Sequence, residues 1–143
     1  MNLVSIRTEP LASPRPRFRV VAGKWAHTYF PAIYKKWRAF IASRLATKFK
    51  KTGRPSLLIC DFGISKPKTT KFDTPAGDID NYAKSLMDAI TDSKVLEDDR
   101  QVVLLIAKKC WSDLPYVKVA LKPLTDSELD LLWSKLVRVS SEE

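Results

Sequence analysis

Between Gly77 and Val103 the chain changes its hydrophobic period once, and that change defines two adjoining elements and the junction between them. Ile79, Tyr82, Ala83, Leu86, Met87, Ala89 and Ile90 recur at helical spacing, far from the alternation of a strand. The helix is expected to begin near Asp78 or Asp80, where a carboxylate complements the positive end of the helix, and to end around Asp92 or Ser93. A connection from Lys94 to Asp99 then leads into Val102, Val103, Leu104, Leu105 and Ile106, which read as a buried strand. Asp80, Lys84 and Asp88 recur every four residues and share a helix face. If the chain folds back, Asp98 or Asp99 at the strand's entrance meets Asp78 and Asp80 at the helix start. Carboxylates from two adjoining elements make an oxygen site of the kind that hard divalent cations take.

Each feature alone has a plainer reading. Asp at a helix start is more often a cap, and Asp-Asp before a strand is more often a turn. Lys84 by itself is an exposed partner of Asp80, worth about 0.3–0.5 kcal/mol. The joint pattern and the charge of the chain point further. Against 16 Asp and Glu stand 25 Lys and Arg, a formal net charge of +9. A basic surface around focused carboxylates suits a polyanion held over a metal ion.

Other chemistries lack their parts. His27 is the only histidine, so a zinc site would have to combine it with Cys60 and Cys110 at spacings that match no zinc motif. The same lone histidine argues against a Ser-His-Asp or Cys-His machine. There is no P-loop, and four glycines leave little for a phosphate-cradling loop.

The run Asp78-Ile79-Asp80-Asn81, then Lys84, then Asp88-Ala89-Ile90, then Asp98-Asp99-Arg100-Gln101-Val102-Val103 resembles the core of the RusA family of Holliday junction resolvases, with the spacings kept. Upstream, Pro14-Arg15-Pro16-Arg17-Phe18 is similar to an Arg-Pro-Arg element of that family, and Tyr34-Lys35-Lys36-Trp37 falls where its first helix stands. Nothing beyond Lys122 carries the likeness. The resemblance implies an endodeoxyribonuclease that resolves four-way DNA junctions by paired nicking, as a homodimer, with Mg²⁺ or Mn²⁺ as cofactor. It implies Asp78, Asp80 and Asp99 as metal ligands, Asp98 as a fourth ligand or an orienting group, and Lys84 as a catalytic cation. Arg15, Arg17, Lys66, Lys68, Lys71 and Phe72 are the candidate DNA contacts. Two other readings stay open: a nuclease for flaps, forks or other branched DNA, and a basic DNA-binding protein whose carboxylates are structural.

The rest of the chain reads as an α+β domain spanning 1–143, with a mixed sheet of about four or five strands packed by two or three helices. Leu3–Thr8 and Phe18–Ala22 look like strands, separated by Pro14 and Pro16. From about Tyr29 to Lys51 the residues Phe30, Ile33, Trp37, Phe40, Ile41, Leu45 and Phe49 form a helical stripe, read as core, opposite a basic face. Leu57–Ile64 is expected as a central strand. The loop Ser65–Gly77 then brings three lysines and Phe72 to the doorstep of Asp78. Strands Gln101–Lys109 and Tyr116–Leu121 are expected as a hairpin through Trp111–Pro115. Thr125-Asp126-Ser127-Glu128 has the form of a capping box, opening a last helix through Leu129, Leu132, Trp133, Leu136 and Val137 before a frayed tail at 140–143. No apolar run approaches the roughly 18 residues that span a bilayer. Met1–Pro10 lacks the form of a signal peptide, and the two isolated cysteines read as buried thiols, which together suggest a cytoplasmic protein.

Overall fold

The computed structural model describes residues 3–14, 17–21, 23 and 25–140, with the side chains of 17–21 and 25–28 outside that description. A four-stranded mixed sheet has the order β1-β6-β4-β5, built from β1 (Val4–Arg7), β4 (Ser56–Ile64), β5 (Val102–Trp111) and β6 (Tyr116–Pro123). A separate antiparallel pair joins β2 (Arg17–Val21) to β3 (Trp25–Tyr29). Three helices complete the α+β architecture: α1 (Ala32–Lys48), α2 (Ile79–Asp92) and α3 (Asp126–Leu136).

β4 is the interior strand. It runs parallel to β5 and antiparallel to β6, and its apolar residues are buried along nearly its whole length. One face of the sheet carries Leu58, Cys60, Phe62 and Ile64 from β4, Val117 and Val119 from β6, and Ile6 from β1. Against it pack Trp37, Ile41 and Leu45 of α1 and Tyr82, Leu86, Ala89 and Ile90 of α2. The two helices lie side by side in the same direction. Tyr34 Oη donates to Asp88 (2.7 Å), and one turn on, the Arg38 guanidinium makes two 2.9 Å bonds to Asp92.

Four expectations are corrected. The helix expected from about Tyr29 starts only at Ala32, after Pro31, and β3 ends at Tyr29. Within α1 the buried stripe is Tyr34, Trp37, Ile41, Ala42 and Leu45. Ile33 and Phe40 face outward because α1 has a sheet on one side only. β5 and β6 are not a hairpin, since β4 lies between them and the link Ser112–Pro115 crosses its end. Ser112 N–H donates to Ile64 carbonyl there (2.8 Å). Finally, β5 is an edge strand, and Val103, Leu105 and Ile106 stay substantially exposed. At the other end of the chain, the capping box of α3 forms as its sequence suggests: Thr125 Oγ1 accepts from Glu128 N–H, and Glu128 Oε1 accepts from Thr125 N–H. Its apolar residues are less buried than the pattern implied, with Leu131, Trp133 and Leu136 about half exposed.

Candidate active site

α2 begins where the sequence places it, and Asp78 holds the N-cap position with extended backbone angles (φ −72°, ψ 134°). Its carboxylate makes no capping hydrogen bond. The usual structural reason for Asp at that position is therefore absent. Among the described residues Asp80, in the first turn, accepts only from the N–H of its neighbour Asn81 (2.9 Å). Both carboxylates are exposed at the positive end of the helix, and no ion pair among the described residues involves either.

The chain's approach to Asp78 is held by residues that sequence reading did not single out. Lys109, on β5, donates from Nζ to the carbonyls of Pro75 (2.6 Å) and Gly77. Gly77 lies against Tyr82, so close that an added Cβ would sit 2.6 Å from the phenol oxygen. Tyr82 in turn packs on Phe62, ring centroids 5.5 Å apart. A pair of lysines, Lys108 and Lys109, inside an otherwise apolar strand was the available signal. The partners of Lys109 lie more than thirty residues away, and nothing local names them.

Lys84 joins α2 to the turn before β5. Its ammonium lies 2.8 Å from Asp99 Oδ2 and 3.1 Å from Asp88 Oδ1. The helical partner of Lys84 is thus Asp88, the carboxylate one turn ahead, and not Asp80 one turn behind. The hydrogen bond to Asp99 raises the Lys84 pKa above its ordinary value, and the same contact holds the Asp99 carboxyl below the usual carboxylate range. Asp88 is fixed from the other side by Tyr34, whose hydroxyl is pushed up to about 12, first by burial and further by this acceptor.

The neighbouring aspartates are sorted by their bonds. Asp98 caps a short 3-10 turn, Asp99–Gln101: its Oδ1 accepts from Arg100 N–H (2.8 Å), and Gln101 Oε1 accepts in return from Asp98 N–H (3.1 Å). Gln101 Nε2 also donates to Thr52 carbonyl (3.0 Å), fastening the turn to the body. Asp99, freed of capping work, points to Lys84.

These residues suit a hard divalent cation by chemistry, since the donors are carboxylate oxygens without histidine or thiolate among them. Their geometry is open. Among the described residues no three His, Cys, Asp or Glu side chains stand close enough to share an ion. Asp99 comes together with Lys84 and Asp88, while Asp78 and Asp80, at the helix start, join no ion pair among the described residues.

The loop 65–77 flanks this region. Lys66, Lys68 and Lys71 are exposed, and the Phe72 ring is 67% exposed although its carbonyl is held by Trp111 Nε1 (3.1 Å). Arg15 lies outside the described residues. Arg17 opens β2, and its side chain is outside them too.

A mixed sheet with both large helices on one face, and carboxylates and a lysine gathered where α2 meets the entrance of β5, matches the architecture expected of a RusA-like domain. Residues 8–122 match the family model for endodeoxyribonuclease RusA, and the chain belongs to that family. It is also similar to the uncharacterized protein YqaN of Bacillus subtilis (strain 168), 30% identical over 133 residues, covering 82% of this chain and 92% of the relative. The family is one of DNA junction endonucleases, so nuclease action on DNA is what membership implies. No helix among the described residues is long and apolar enough to cross a membrane.

Proposed function

We propose that this protein is a metal-dependent, structure-specific endodeoxyribonuclease that resolves four-way DNA junctions by paired nicking in recombination and repair, acting as a homodimer. The observation that carries the reading is the pair of uncapped, unpaired carboxylates Asp78 and Asp80, followed one turn later by Lys84 reaching to Asp99. Although the three do not converge on one point, Asp78, Asp80 and Asp99 carry the oxygen donors that would hold a Mg²⁺ ion, with Mn²⁺ as a substitute. Asp98 has one oxygen committed to its cap, which leaves it an orienting role or a single free oxygen. When bound, the ion supplies Lewis acidity toward the scissile phosphate and toward a water molecule.

The chain's own residues do the rest. Lys84 carries a fixed positive charge beside the carboxylates and stabilises the negative charge that develops on the phosphate oxygens. With Asp99 engaged elsewhere, Lys84 would turn from it to the scissile phosphate, and Asp88 would keep the ammonium in place. Lys109 and Tyr82 hold the 75–77 backbone that leads into Asp78. Lys66, Lys68 and Lys71, with Arg15 and Arg17, bind the sugar-phosphate backbone, and the Phe72 ring rests against an unstacked base at the branch point. A second copy is favoured by the two-fold symmetry of a four-way junction, and the exposed apolar residues Val103, Leu105 and Ile106 on the β5 edge suit such a contact.

The test is cleavage of a synthetic four-way junction beside a flap, a fork, linear duplex and single strand, with Mg²⁺, with Mn²⁺ and with chelator. The junction should be nicked symmetrically and only with metal. Asp80→Asn and Asp99→Asn should each lower cleavage by orders of magnitude while junction binding persists or tightens, because negative charge is lost. Preference for flaps or forks would reassign the substrate. Metal-independent binding without cleavage of any substrate would leave a basic DNA-binding protein whose carboxylates are structural.

A further inference from the structure

At the sheet edge farthest from the candidate active site, β1 and α1 enclose a groove of about 310 Å³ lined by Val4, Ser5, Arg7, Phe40, Arg44 and Lys48. Among the described residues β1 pairs with β6 on one side only, so every second residue of Val4–Arg7 turns its N–H and C=O outward. Arg7, Arg44 and Lys48 form no ion pair among the described residues. Phe40 is 38% exposed, with the Arg44 guanidinium 5.3 Å from its ring centroid. The groove is remote from Asp78. Arg38 already reaches the last residue of α2, and Arg44 and Lys48 lie beyond it along a helix that runs the same way.

We propose that this groove is a docking site for an extended acidic peptide segment of a partner protein, which adds to β1 as a fifth strand of the sheet. Three cations in one groove call for an anionic occupant, and the open strand edge decides which kind. A phosphodiester backbone offers acceptors only and would leave the outward carbonyls of β1 unanswered. A peptide in extended form supplies both donors and acceptors at the strand's own spacing. Alternate side chains of that peptide would fall toward Arg44 and Lys48 on one side, where carboxylates suit, and Phe40 gives an apolar contact between them. The competing role for these charges is to guard an exposed edge against pairing with other chains. Either role disfavours cationic and apolar edges; only docking predicts that an acidic strand pairs in register with β1.

The experiment uses the full chain and a fluorescein-labelled peptide of about ten residues that alternates Glu with Val, a length matched to a strand crossing the edge. Three altered peptides accompany it: one with Gln for Glu, and two with backbone N-methyl groups at the odd or at the even residues. The acidic peptide should bind, and hydrogen exchange at the outward amides of β1 should slow in its presence. The Gln peptide and one N-methyl peptide should bind at least about tenfold more weakly, while the other N-methyl peptide is tolerated, the signature of one-sided strand pairing. Arg44→Glu should weaken the acidic peptide similarly. Equal binding of both N-methyl peptides would overturn the proposal in favour of loose charge attraction, and this arm needs no protein variant. No binding would assign the charges to edge protection. Slowed exchange at β1 produced by single-stranded DNA and not by the peptide would make the groove a nucleic-acid surface.

Discussion

Lys84 is the residue on which the structural and catalytic readings differ most. As a half-exposed partner of Asp88 in a helix it contributes a few tenths of a kcal/mol to stability. Its contact with Asp99 comes from another element and has no helical explanation. Lys84→Ala is expected to leave the melting temperature within a few degrees, the order of a lost surface pair. Single-turnover cleavage of a four-way junction should nevertheless fall at least about tenfold, equivalent to roughly 1.4 kcal/mol of barrier. Unchanged turnover with a small loss of stability would make Lys84 a structural residue. The spacing of Asp78, Asp80, Lys84 and Asp88 was legible in the sequence because a helix repeats locally. Which of Asp98 and Asp99 caps the turn was not, because the choice depends on Gln101 reaching Thr52, forty-nine residues away. Lys109 was hidden for the same reason.

At the scale of elements, α1 and α2 are joined by contacts that also support the site. Tyr34 is 1% exposed and donates to Asp88, which in turn holds Lys84. Its pKa is raised from 10.0 to about 12, chiefly by burial. A group whose folded pKa lies above its unfolded one stabilises fully below the unfolded value, and that stability drains away as pH climbs toward the folded one. Thermal stability should therefore drop between about pH 10 and 12, and Tyr34→Phe should flatten that part of the profile while costing about 1.5–3 kcal/mol at neutral pH for the lost bond to a carboxylate. Melting curves of both proteins across this range check it, and an identical alkaline slope in the variant would detach Tyr34 from the effect. Helix existence followed from period: α2 stands where the apolar spacing put it, and α1 lies within its expected stretch but begins later, at Ala32. Strand partnership did not follow. Trp111–Pro115 has the length of a hairpin connection, yet β4 claims the place between β5 and β6 because its mostly apolar, buried residues need neighbours on both sides. The same arrangement leaves β5 at the edge despite six successive apolar residues.

Across the whole molecule, the formal charge of +9 makes DNA affinity a matter of counterion release. Binding should weaken linearly in log K against log salt. Replacing Lys66, Lys68 and Lys71 with Ala should reduce the slope by about 0.9 for each phosphate contact removed. Fluorescence titrations at several salt concentrations measure it, and an unchanged slope would move the DNA face to the exposed basic residues of α1. Charge was readable from composition, but a surface on which a second copy would meet this one was not, since such a surface follows no period. Paired nicking requires two sites arranged about one axis, each answering one of the two equivalent strands of a junction. A dimer with a single competent site should therefore cut once. Mixing the protein with an excess of Asp80→Asn, exchanging subunits, and supplying a supercoiled plasmid that extrudes a cruciform should convert linear product to nicked circle in proportion to the mixed dimers formed. A second incision from the same encounter is lost, while the first survives. If linear product falls only in step with the dilution of active protein, each subunit acts alone, and the exposed edge of β5 serves some purpose other than joining two copies.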